Sequence, residues 1–208
     1  MKTLLLPVLM LISITVFSQS DKYTQAMQKD LVLLDSAKTA ADLNAASAAF
    51  ERVGDAEKTQ WLPYYWAAMA KVRIGWMDNS VDKDKLANEV KALCAKGEAI
   101  DDNAEFATIR NMAATQQMLV NPQERWQTYG QEAAAALQKG MQMSPNNPRL
   151  YYLQAMSVFN TPEQFGGGKE KAKPIFQKAV DLYKVQEKKP LYPTWGAELA
   201  DSMLAKCQ

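Results

Sequence analysis

From Asp21 to Gln208 apolar side chains return every three or four residues rather than every second one. That spacing follows the 3.6-residue turn of an α-helix and paints one face apolar, whereas a half-buried strand would alternate. The remaining positions are dominated by Ala, Gln, Lys, Glu, Leu and Met, which lose little on entering a helix. The pattern is interrupted at Gly54-Asp55, Asp78-Asn79-Ser80, Asp101-Asp102-Asn103, Asn121-Pro122, Ser144 to Pro148, Asn160-Thr161-Pro162 with Gly166-Gly167-Gly168, and Pro190 to Pro193. Nine helices are therefore predicted, near 22–37, 40–53, 62–77, 82–98, 104–119, 122–143, 147–160, 168–186 and 194–206. The links are short, so neighbours must run antiparallel. Asn121 is placed to cap the sixth helix, with Pro122 at its first position and Glu124 able to return the capping bond.

A finer pattern runs through the second helix of successive pairs. Ala46-Phe50-Val53, Leu86-Val90-Leu93, Ala133-Leu137-Gly140 and Ala172-Phe176-Ala179 each space a small or apolar residue four and then three positions from the next. The first helices answer with Tyr65-Ala68-Met69-Val72, Phe106-Ile109-Arg110-Ala113 and Tyr152-Ala155-Met156-Phe159. Small side chains let two helix backbones approach while the larger ones fill the space beside them. These positions resemble the tetratricopeptide repeat signature. The resemblance is carried best by Ser144-Pro145-Asn146-Asn147-Pro148-Arg149, Tyr151-Tyr152, and Thr161-Pro162 through Phe165-Gly166-Gly167-Gly168-Lys169 to Ala172, Phe176 and Ala179. It implies an all-α chain: a right-handed superhelix of three or four antiparallel helix pairs, closed by a C-terminal capping helix with Trp195, Leu199 and Met203 or Leu204 on one side. It also implies a structural role for the glycine loop, with Phe165 tucked back against its pair.

The N-terminus reads differently. Lys2 precedes an apolar run from Leu4 to Phe17, and Val16-Phe17-Ser18 offers small residues where a signal peptidase requires them, so 1–18 is a predicted signal peptide and 19–208 the mature domain. The run falls short of the ~20 apolar residues that span a bilayer, and polar Gln19 to Lys22 follows at once. The product is expected in the periplasm or outside the cell, with no integral membrane segment. The whole chain has 24 basic and 23 acidic side chains, and losing Lys2 equalises them. Nucleic acid is thereby disfavoured, since its binding needs clustered cations. Cys94 and Cys207 would sit on distant units of a linear stack, too far apart to bridge.

Candidate chemistry is sparse. The chain has no His, which removes the commonest general base, the usual nucleophile pairs and most zinc sites together. Catalysis by carboxylates alone would need two of them to converge in a cleft. Gly166-Gly167-Gly168-Lys169 lacks the spacing of a phosphate-binding loop. Asp78, Ser80, Asp82, Asp84 and Glu89 echo a calcium loop, but Lys83 stands where its glycine belongs, which leaves an acidic helix start. No cofactor and no metal is implied.

One cluster stands out: Trp61-Leu62-Pro63-Tyr64-Tyr65-Trp66 holds four aromatics in six residues. With Tyr65 on the pair's seam, Tyr64 and Trp66 lie about 100° to either side and cannot both be buried by that seam. First helices of such stacks line the concave surface, and equivalent offsets place Trp66, Arg73, Asn111, Ser157 and Asn160 on it, with Tyr64 at its mouth. This groove suits a peptide or a partner protein, which makes a non-catalytic binding module or scaffold the first expectation. The alternative is a small-solute receptor or transport accessory that encloses a ligand among its helices. The leader is checked by intact mass of the exported protein under non-reducing conditions, which is expected to equal Gln19–Gln208 with two free thiols.

Overall fold

The computed structural model describes residues 12–208, with side chains from Asp21 onward, so the predicted signal peptide lies largely outside the described residues. Among those residues every regular element is helical. In chain order they are α1 (Ile12–Ser36), α2 (Ala40–Glu57), α3 (Leu62–Met77), α4 (Lys83–Glu98), α5 (Ala104–Val120), α6 (Pro122–Arg125), a π-helical turn (Trp126–Gly130), α7 (Gln131–Met143), α8 (Pro148–Asn160), a 3₁₀ turn (Glu163–Phe165), α9 (Lys169–Val185) and α10 (Ala197–Ala205). The predicted helix at 122–143 is present as α6, the π turn and α7 in succession. No described helix is long and apolar enough to cross a membrane.

Successive helices pack on one another from α1 to α5, then α5 on α7, α8 on α9 and α9 on α10. Alternate helices also meet, α3 with α5 and α5 with α8, so these three form one row. Most seam residues foreseen from spacing are buried, among them Ala46, Phe50, Tyr65, Ala68, Val72, Leu86, Val90, Phe106, Ile109, Ala113, Leu137, Ala155, Ala172, Phe176 and Ala179, whereas Val53, Met156 and Phe159 are half-buried. Glycines set the closest approaches. A methyl group on Gly140 would lie 2.7 Å from Leu150 and 2.8 Å from Ala107, and one on Gly97 would run into the ring of Phe106. Arg110, the one large polar residue in a seam pattern, leaves it to form a two-pronged pair with Glu98 at 2.7 and 2.6 Å, tying α5 to α4. Cys94 and Cys207 are unpaired and buried. Burial pushes the Cys94 thiol up to about 12, so it stays protonated.

Several local expectations need correction. Gly54-Asp55 does not end a helix: α2 continues to Glu57, and Gly54 lies within it because the ring of Tyr64 occupies the space a side chain would need. Asn121 makes no side-chain cap. The capping box forms instead at Thr39 and Asp42, where the Thr39 hydroxyl accepts from the Asp42 N–H at 3.1 Å and the Asp42 carboxylate accepts from the Thr39 N–H at 3.0 Å. Phe165 is 75% exposed rather than tucked in, because Gly167 packs directly on the Thr161 backbone and leaves no room beneath the turn. Trp195 precedes α10 rather than lying on it, and Leu199 faces solvent. The calcium echo resolves into separate partners: Asp78 accepts from Ser80, Asp82 caps α4, and Asp84 meets Arg125.

Close packing makes small-to-large changes costly here. Gly97→Ala gains helix propensity but forces the Phe106 ring aside, and a net loss of about 1–3 kcal/mol is expected. Urea denaturation followed by far-ultraviolet dichroism measures it.

Candidate functional site

The row formed by α3, α5 and α8 is covered at its N-terminal end. Residues 186–196, between α9 and α10, have no regular structure and lie across it as a strap. The indole N–H of Trp66 donates to the Leu191 carbonyl at 2.8 Å, and that of Trp195 donates to the Tyr65 hydroxyl at 2.8 Å. Tyr192 meets Trp61 edge-on with ring centroids 5.5 Å apart. Arg149, 2% exposed at the start of α8, donates to the Pro193 carbonyl at 3.1 Å and to both oxygens of Glu105 on α5 at 2.9 and 2.5 Å. Its guanidinium also lies 5.8 Å from the Trp195 ring. Prolines at 190 and 193 keep the strap from winding into helix, and Leu191 takes a left-handed conformation at φ 66° to turn its carbonyl toward Trp66.

The six residues assigned to the groove are therefore dispersed among different partners. Tyr64 is buried against α2 and its hydroxyl donates to Asp55 at 2.8 Å. Trp66 is buried under the strap and stacks near Phe50, with centroids 6.4 Å apart. Arg73 donates to the Leu34 carbonyl of α1 at 2.9 Å, and buried Asn111 to the Ala133 carbonyl of α7 at 3.0 Å. Ser157 and Asn160 are exposed near the far end of α8, where the Asn160 amide donates to the Met156 carbonyl at 2.7 Å. Trp66 and Tyr64 are both buried because two separate elements, strap and α2, cover the two sides that one seam could not.

A concavity also opens beside the strap. It is a cleft of about 550 Å³ between the end of α9, the strap and the start of α10, with Tyr183, Lys188, Pro193, Trp195, Glu198 and Leu199 in its walls. That volume falls in the range typical of small-molecule sites, roughly 300–1,000 Å³. Tyr183 donates to the Trp195 carbonyl at 3.2 Å and its hydroxyl abuts Gly196, whose φ of 107° makes the entry into α10. Burial, partly offset by Arg149, holds the Tyr183 phenol above its ordinary range, so it remains neutral. No side chain caps α10, so its first N–H groups join the Lys188 ammonium in the cleft wall, alongside the Glu187 and Glu198 carboxylates. A second, smaller cleft of about 380 Å³ lies between α1 and α2, where the Tyr23 hydroxyl is shielded without a hydrogen bond and burial pushes its pKa up to about 12. Half of its lining residues are charged: Lys22, Lys29, Asp30, Arg52 and Glu57.

No protein-family model matches the chain, and no curated protein is significantly similar to it. Among solved structures, the HusA haemophore from Porphyromonas gingivalis is similar over 89% of this chain and 92% of that one, with 36% identity and a TM-score of 0.81. The chain belongs to the HusA haemophore family. The match extends over nearly the whole of both chains.

Cleft residues were not singled out from sequence. Their signal was Tyr192 and Trp195 set among Pro190 and Pro193, large aromatics in an aperiodic segment, which periodicity reads only as a break. The strap's anchor is tested through Arg149→Met, which strands the Glu105 carboxylate; a loss of about 3–5 kcal/mol is expected, recovered in large part by adding Glu105→Met. Thermal or urea unfolding of the single and double variants reads this out.

Proposed function

We propose that this haemophore-family protein is an exported haem-binding protein that holds the ring in the cleft between α9, the strap and α10. The observation carrying the reading is the 36% identity to a haemophore over 92% of that protein. The cleft supports it chemically. Half-buried Trp195 and exposed Leu199 offer apolar surface to a flat macrocycle, while Lys188 and the uncapped start of α10 are the groups that would meet its propionates, beside the Glu187 and Glu198 carboxylates. Iron ligation adds little here, because the chain has no His, Cys94 is a buried neutral thiol, and the Tyr183 phenol is held protonated and hydrogen-bonded. Affinity then comes chiefly from burying the ring faces.

Of the two functions expected from sequence, the small-solute receptor agrees with a haemophore relative better than the peptide-binding scaffold does. The strap already lies over Tyr65 and Trp66, where a peptide would have docked. A haemophore is a binder, and the same reading makes this protein a carrier rather than an enzyme. Export through removal of 1–18 agrees with that role. We also read the helix pairs as tetratricopeptide-like units, supported by the seam residues that spacing identified and the structure buries.

The test is a haem titration of the exported protein followed in the Soret band. A saturable spectral change is expected, and Leu199→Asp, at a position 53% exposed on the cleft wall, is expected to weaken binding by about tenfold or more while leaving far-ultraviolet dichroism unchanged. No saturable change in the unaltered protein would end the proposal, and full binding by Leu199→Asp would move the site elsewhere.

A further inference from the structure

The opposite end of the helix row carries a second surface with no role in the cleft. Two cross-helix bonds align its members: Arg73 reaches the Leu34 carbonyl at 2.9 Å, and the Gln116 amide reaches the Val72 carbonyl at 2.8 Å. Gly75 also lies directly against the Gln116 side chain. The residues just beyond these contacts, Trp76 and Met77 on α3 and Leu119 and Val120 on α5, therefore end side by side, with Leu33 of α1 at their flank. Trp126 joins them from the π turn, which is held against α5 by Arg125 bonding the Gln117 carbonyl at 3.3 Å and by Gly130 packing on Met118. All six are exposed, from 37% at Leu33 to 55% at Trp126. Large side chains carry ~150–250 Å² each, so the six leave on the order of 500 Å² of apolar surface in one place. That lies at the upper part of the ~300–600 Å² that the largest apolar patch on a typical monomer covers, and such patches are often functional.

We infer that this apolar edge is a self-association surface, through which two copies of the chain pair about a twofold axis. Size favours this occupant. A standard interface buries ~800 Å² per partner and is ~60% apolar, so its apolar share is about 500 Å². Charge favours it too. Around the edge Asp35, Asp82 and Glu124 are interspersed with Lys38 and Lys85, a balanced rim that can pair with its own rotated copy. The mature chain has equal numbers of acidic and basic side chains, so no net repulsion separates two copies. The edge lies about 16 Å along α3 from Tyr65, at 1.5 Å per residue, which leaves strap and cleft free in the pair. This inference stands apart from the haem reading and does not depend on it.

Sedimentation velocity of the exported protein from 1 to 100 µM, with and without haem, is the experiment, with Trp76→Glu and Val120→Lys as variants and dichroism as the folding control. Dimer is expected at the upper concentrations, with at least about tenfold weaker association in either folded variant; Val120→Lys decides if Trp76→Glu does not fold. A protein that stays monomeric throughout overturns the inference, as does a dimer that neither variant weakens. Co-sedimentation with phosphatidylcholine vesicles that Val120→Lys abolishes, or a Soret response lost in the variants while the mass is unaltered, would give the edge to lipid or to the ring and overturn it equally.

Discussion

Arg149 is the point through which the halves of the molecule are joined. A guanidinium with 2% exposure could not remain in the interior without compensation, and Glu105 supplies it with two oxygens while Pro193 and Gln186 both accept from its remaining nitrogen. Asn147 adds a further bond to the same Glu105. One cation thus links the start of α5, the start of α8, the end of α9 and the strap. Replacing such a group by an apolar one of equal volume is often harmless, whereas removing only its partner is severe. Its value lies in orientation: the planar fork accepts one arrangement of these four segments and no other.

Around that hub the fold is built from close approach. Gly97, Gly140 and the seam alanines bring helix axes together, and the aromatics of α3, α5 and α8 fill what remains. Three clusters result, one from α1 to α5, another from α8 to α10 and a smaller one joining α5, α7 and α8, and Trp195 packs against the first two. The strap is accordingly a structural member as well as a wall of the cleft. A ligand that shifts Pro193 or Trp195 acts on groups bonded to Arg149 and Tyr65, so cleft and core are not independent.

Helical content, antiparallel order and seam residues were legible in the sequence because they are periodic, and period is a local property. Phe50, Phe106 and Phe176 were each placed in a core from spacing alone, and each is fully buried. The fate of Trp66 was not legible, since it depends on a carbonyl 125 residues away. The strap has no period at all, and its prolines look like the end of structure rather than a piece of it. The edge carried a signal that was passed over: Trp76-Met77 and Leu119-Val120 fall at helix ends just before Asp78 and Asn121, where no following turn is available to cover them.

The bond between Tyr65 and Trp195 spans 130 residues. At a synthesis rate of ~5–20 residues per second, roughly 6–26 seconds separate the emergence of its two ends. During that interval the early helices exist without their clasp, and the aromatic face of α3 has nothing to close over it. Because its two partners are so far apart in the chain, this clasp closes only after both have been made.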